Sequence, residues 1–179
     1  MEPTHPITAD KQRLWDSTKH DIISRGAGHK PYEIEEGISD TVVALQLLGI
    51  PATQSCEGHI KHDSIFPFVI FESPKEMEIN NLKTEDEYKR SVALIEQDAQ
   101  SMRDRLQSLL DEFYASKEYN PYHYEITEIQ KNRIYMLAPN GIAKTTQKQE
   151  AEYKKIILDE SRKKLAEFTE FLKEKYFRK

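Results

Sequence analysis

The sequence predicts an α+β domain, with elements in the order α-α-β-β-α-β-β-α and a mostly antiparallel sheet of about four strands. Three observations carry that prediction. Apolar residues recur at helical spacing in four segments, two pairs of short strand-like runs lie between them, and glycines, capping boxes and tight turns mark the boundaries. A chain of 179 residues fits a single domain, 1–179, and is long enough to bury a core without disulfides. Its hydrophobic content of 37% and charged content of 32% describe a polar globular chain.

Thr8 to Arg25 reads as the first helix, with Leu14, Trp15, Thr18, Ile22 and Ile23 on one side and Gly26 as its stop. The second carries Ile34, Ile38, Val42, Leu45 and Leu48, and Gly49 ends it. "PATQSC" then forms a short extended segment, "EGHIKHDSI" a connection, and "FPFVIFE" a strand apolar on both faces, which belongs in the protected part of a sheet.

Thr84 and Glu87 form a capping box that opens a long helix over about 85–116. Tyr88, Val92, Ile95, Ala99, Met102, Leu106, Leu109 and Phe113 alternate spacings of four and three along it, a heptad seam. At 1.5 Å per residue such a helix extends about 45 Å, so part of it overhangs the domain or lies on a long partner. A second box, Thr146 to Gln149, opens a helix over about 146–177 with Tyr153, Ile157, Leu165, Phe168 and Leu172 as its stripe. The two long helices are expected to pack together, with a homodimer through the 88–113 seam as the alternative. Between them "YHYEITEIQ" and "RIYMLAP" read as a hairpin turning at Lys131-Asn132.

Charge and hydropathy limit the partners. No apolar run approaches the roughly 18 residues that span a bilayer. The N-terminal segment has no apolar signal region, so no membrane partner and a cytoplasmic location are expected. The net charge of −5 argues against a general nucleic-acid binder. The segment from Lys144 onward is basic, but acidic residues interleave along it, and a solvated helix face accounts for it more simply than phosphate contacts do.

The chemistry concentrates at the end of the first strand, in "ATQSCEGHIKH", where the chain's one cysteine, a glutamate, a glycine and two histidines fall within seven residues. Thr53, Gln54 and Ser55 are polar where a buried strand would be apolar, so a ligand is one candidate for satisfying them. Gly58 permits positive φ and a tight turn whose amides can form an anion nest, within which Cys56 and His59 come close.

Three chemistries fit this pattern. Cys56 can serve as a nucleophile with His59 as its base, although the adjacent Glu57 opposes thiolate formation. Cys56 and His59, with His62, Asp63 or the distant His29, can bind a divalent metal while Glu57 acts as general base on a bound water. Or the turn can recognise the phosphate or carboxylate of a small anionic or nucleotide-like ligand through Thr53, Ser55, Gly58 and His59. Against all three stands a purely structural use, with Thr53 and Ser55 bonding backbone, Cys56 packed as a small hydrophobe and the histidines on the surface.

"GIPATQSCEGHI", set between an amphipathic helix and an apolar strand, resembles a pattern in small uncharacterised bacterial and phage proteins that carry T-x-S-C-E-G-H at this junction. The same stretch is similar to the T-x-S-S-C-S-G-R turn of the tRNA wybutosine-synthesis methyltransferase family. That second resemblance implies tRNA and S-adenosylmethionine; Thr53, Ser55, Cys56 and Gly58 match the motif, while Glu57 and His59 depart from it at the polar positions. "SRGAGHKP" is a further place to look, because Arg25 and His29 can reach an anionic ligand there, although a helix end followed by a loop explains both glycines. His20 and His123 stand alone, and Tyr119, Tyr122 and Tyr124 suit strand packing better than base stacking.

Overall fold

A computed structural model of the chain describes residues 9–26, 34–60, 65–74, 84–140 and 151–178. Eight elements follow the expected order: α1 (Ala9–Gly26), α2 (Glu36–Leu47), β1 (Ala52–Cys56), β2 (Phe68–Glu72), α3 (Glu85–Tyr114), β3 (Tyr124–Gln130), β4 (Ile134–Pro139) and α4 (Ala151–Arg178). The sheet is antiparallel throughout, with strand order β1-β2-β4-β3. β2, apolar on both faces, accordingly lies in the interior of the sheet.

Register places Val69 opposite Leu137 and Phe71 opposite Tyr135, and all four are buried on the face toward the helices. Phe71 and Tyr135 stack with ring centroids 5.7 Å apart. Phe68, Ile70 and Met136 alternate to the other face and are half-buried. Asn132, with φ of 58°, turns the β3–β4 hairpin, and its N–H donates to Glu128 Oε1 at 2.6 Å.

The Thr84–Glu87 capping box is present. The Thr84 hydroxyl accepts from the Glu87 N–H at 3.2 Å, and the Glu87 carboxylate accepts from the Thr84 N–H at 3.1 Å. The second box, at 146 to 149, lies outside the described residues. Ile95, Ala99, Met102, Leu106 and Phe113 of the seam are buried in the chain's own core, but Tyr88 is exposed and Leu110 is buried more deeply than Leu109. A straight helix drifts by about 20° per heptad, so a strict seven-residue register rotates off a fixed surface over thirty residues. The first turns of α3 form the overhang that its length requires.

α3 and α4 meet where Phe113 packs edge-on against Phe168, at 5.1 Å, and against Phe171, with Lys175 bonding Glu112 alongside. α4 also lies along α2, where the Thr41 and Thr169 hydroxyls meet at 2.7 Å. Trp15 of α1 seats on Tyr176 and Phe177, while Leu14 and Ile23 on the same helix, and Tyr153 on α4, face outward. α2 ends as expected at Gly49, with φ of 78°, and the Ile50 N–H returns to the Leu45 carbonyl at 2.9 Å. Among the described residues, no helix is long and apolar enough to cross a membrane.

Candidate functional site

β1 delivers the chain to a turn at Cys56–His59 that faces the start of α2. Gly58 has φ of 80°, the conformation expected of it. A Cβ at this position would lie 2.7 Å from the Ile65 carbonyl oxygen and 2.8 Å from Leu158 Cδ1, so only glycine lets the turn pack this tightly. The Gly58 N–H points back to Cys56 Sγ at 3.3 Å.

The turn's main partner comes from outside it. Glu35 occupies the N-cap position of α2 with extended backbone, yet its side chain makes no capping bond. It turns instead to the neighbouring segment, where Oε2 accepts from the Glu57 N–H at 2.6 Å and Oε1 contacts His59 Nε2. The Cys56 sulfur lies within 4.8 Å of this carboxylate. Donor atoms of Glu35, Cys56 and His59 all lie within 4.8 Å of one another, and all three residues are partly buried.

Glu57 takes over the helix start that Glu35 leaves. Its carboxylate accepts from the Gly37 N–H at 3.0 Å, in the first turn of α2, where the helix dipole favours a negative charge. A Cβ on Gly37 would meet that carboxylate, so a side chain there would make Glu57 swing aside and give up its bond to the Gly37 N–H. Arg162 of α4 closes the arrangement. Its Nε donates to the Glu57 carbonyl at 2.9 Å, and its Nη2 donates to the Gly58 carbonyl at 2.8 Å and to Glu57 Oε1 at 3.2 Å. One arginine thus fixes both the backbone and the side chain of the turn.

These neighbours set the state of the sulfur. Burial pushes the Cys56 thiol up, the nearby Glu35 and Glu57 carboxylates push it further, and the Gly58 N–H opposes them without prevailing. With its pKa raised rather than lowered, the Cys56 thiol is a weak nucleophile at neutral pH.

The remaining candidates fall in several places. The Thr53 hydroxyl donates to the Ile70 carbonyl at 3.4 Å, across to the neighbouring strand. Ser55 Oγ is buried without a hydrogen-bond partner among the described residues. The side chain of Arg25, and His29, His62 and Asp63 entirely, lie outside the described residues. His123 stacks on Tyr114 at 4.0 Å and Tyr124 is buried, so both serve packing, while Tyr119 meets His123 edge-on from an exposed position.

Two participants escape the sequence reading. Glu35 sits in the acidic run "EIEEG", an ordinary helix start by composition, and Arg162 lies in a charged helix more than a hundred residues from the turn. One signal for the first was present, since Gly37 costs a helix roughly 1 kcal/mol relative to alanine and needs a reason to be there.

On the α4 side of the turn, a cavity of about 520 Å³ opens between α1, α2 and α4, with Glu57 and Arg162 in its wall. No family model, curated protein or solved structure matches the chain.

Proposed function

We propose that the turn is a metal centre in which Glu35, Cys56 and His59 bind a borderline-soft divalent cation, zinc foremost, and leave one coordination position for water. Three protein ligands and an open position are the arrangement of a metal-dependent hydrolase. The observation that supports this reading is the convergence of a carboxylate oxygen, a thiol sulfur and an imidazole nitrogen within 4.8 Å of one another, from segments twenty residues apart.

Zinc bonded at about 2.0–2.3 Å in tetrahedral geometry separates its ligands by roughly 3.3–3.8 Å, so the Glu35–His59 hydrogen-bond contact would open to admit the ion between its atoms, while no donor pair of the cluster is wider than 4.8 Å. Two bonds behind the ligands favour the same reading. The Gly58 N–H to Cys56 Sγ and the Glu57 N–H to Glu35 Oε2 orient sulfur and carboxylate as outer contacts do around metal sites. The carboxylates beside Cys56, which oppose a free thiolate, attract a dication. Glu57, held by Gly37 and Arg162, acts as a positioning residue for the turn.

Cobalt(II) and zinc titration of the tag-free protein tests the reading. A single equivalent is expected to bind, with a sulfur-to-cobalt charge-transfer band in the near ultraviolet. Cys56→Ser should abolish that band, and Glu35→Gln should weaken zinc binding at least about tenfold. A wild-type protein that shows neither the band nor zinc retention against a weak chelator would refute the metal centre.

A further inference from the structure

α4 meets the turn with two side chains on one face. Leu158 and Arg162 stand one helical turn apart, so the helix presents them together. Leu158 Cδ1 lies 2.8 Å from where a Gly58 Cβ would stand, and Arg162 reaches the backbone of the same turn. The buried leucine thus sets how near the guanidinium comes.

A peptide group joins a carbonyl to the N–H of the next residue in one conjugated plane. The Glu57 carbonyl, which accepts from Arg162 Nε at 2.9 Å, therefore shares its plane with the Gly58 N–H, which points to Cys56 Sγ at 3.3 Å. The Gly58 carbonyl, which accepts from Arg162 Nη2 at 2.8 Å, shares its plane with the His59 N–H. The Glu57 N–H, which serves Glu35, shares its plane with the Cys56 carbonyl instead, and Arg162 does not bond to that oxygen.

A donor on a carbonyl draws electrons toward the oxygen and makes the N–H in the same plane a better donor, by roughly 10–30% per bond. Glu57 offsets the charge of Arg162 at 3.2 Å, but the polarisation comes from the directed N–H bonds and survives that offset.

From this geometry we infer that Arg162 is a positioning residue that acts on the Cys56 sulfur through the Glu57–Gly58 peptide group, strengthening the Gly58 N–H bond to sulfur. With a metal bound, that bond reduces the sulfur's electron donation to the ion. This last step rests on the metal centre; the polarised amides do not.

Backbone amide NMR of the full chain without metal, comparing wild type with Arg162→Met, tests it. Methionine keeps an unbranched stem without a donor, and the Arg162 side chain is 42% exposed, so the fold should survive, as circular dichroism checks. The Gly58 and His59 amide protons should move to higher field while the Glu57 amide proton stays in place. A turn that merely loosened would move all three. Arg162→Lys, which keeps a cationic donor there, should lie nearer to wild type. At saturating cobalt(II), the sulfur-to-cobalt band should move to longer wavelength in Arg162→Met, and zinc affinity should fall about tenfold. Unmoved Gly58 and His59 amides, a Glu57 amide that moves as far as they do, or a cobalt band at the same wavelength in wild type and Arg162→Met would each overturn the inference. If wild type takes up no cobalt, the metal centre falls, and the amide comparison alone decides the inference.

Discussion

The α3 seam and the Cys56–His59 turn hold their conformations by different means. Leu106 and its neighbours rest on many apolar contacts, each replaceable and all non-directional. The turn hangs on a few directed bonds, from Glu35, Gly37 and Arg162, each of which has one donor or acceptor in one place. Damage to the seam should therefore appear as lost stability with the site intact, and damage to the turn as a lost site at a smaller stability cost.

Leu106→Ala should give the largest effect. Leu106 is fully buried in the core, and truncation of such a leucine costs about 2–5 kcal/mol. Urea unfolding should register that loss, while zinc stoichiometry measured under folding conditions stays unchanged. A seam mutation that also removed metal would break the distinction.

Gly58→Ala comes next, at about 2 kcal/mol, from positive φ together with the close approach of the Ile65 carbonyl. Gly49→Ala provides the control. Its φ is equally positive, but the atom in the way is the guanidinium of Arg105, a flexible end that can withdraw, so about 1 kcal/mol is expected. Equal costs at the two glycines would mean that the turn is no more tightly packed than an ordinary helix end. Of the two, only Gly58→Ala should also weaken zinc binding, because it moves Cys56 and His59.

The smallest effect concerns pH. Burial pushes the Asp40 carboxyl up, but its bonds to Lys173 and Lys19 outweigh burial and hold it below the usual carboxylate range. A depressed carboxylate stabilises the fold above its unfolded value, near 3.9, and loses that contribution as pH falls through the folded value. Lys173 is shifted the opposite way. Burial pulls it down, yet Asp40 and Glu170 raise it overall, so its share persists below about pH 10 and is lost at higher pH. Asp40→Asn should flatten the acid limb of a stability-versus-pH curve by less than about 1 kcal/mol, since the pair is partly solvated. An unchanged acid limb would show that the Asp40 bonds add nothing to folding.

How much of this was legible follows the same division. The order of elements, the Thr84–Glu87 box, the helix stop at Gly49, the positive-φ turn at Gly58 and the interior placement of β2 could all be read from the chain, because each depends on residues within about seven positions of one another. The seam was read correctly from Ile95 to Leu106 and at Phe113 and departed at Tyr88 and Leu109, where a local period meets a partner surface that the sequence does not display. At the site, Cys56, Glu57 and His59 stood out by density alone. Their partners did not, because a glutamate in an acidic helix start and an arginine in a charged helix look the same whether or not they touch a turn.

The sequence by itself therefore determined where helices and strands begin and end and which turn gathers sulfur, imidazole and carboxylate, because short-range sterics and periodicity act between near neighbours. Only the tertiary structure decided that Glu35 leaves its helix start to face Cys56 and His59, that Glu57 replaces it there, and that Arg162 clasps both. Those choices depend on the angle and spacing at which α2, α4 and the sheet pack, which the whole core fixes at once and no single segment encodes.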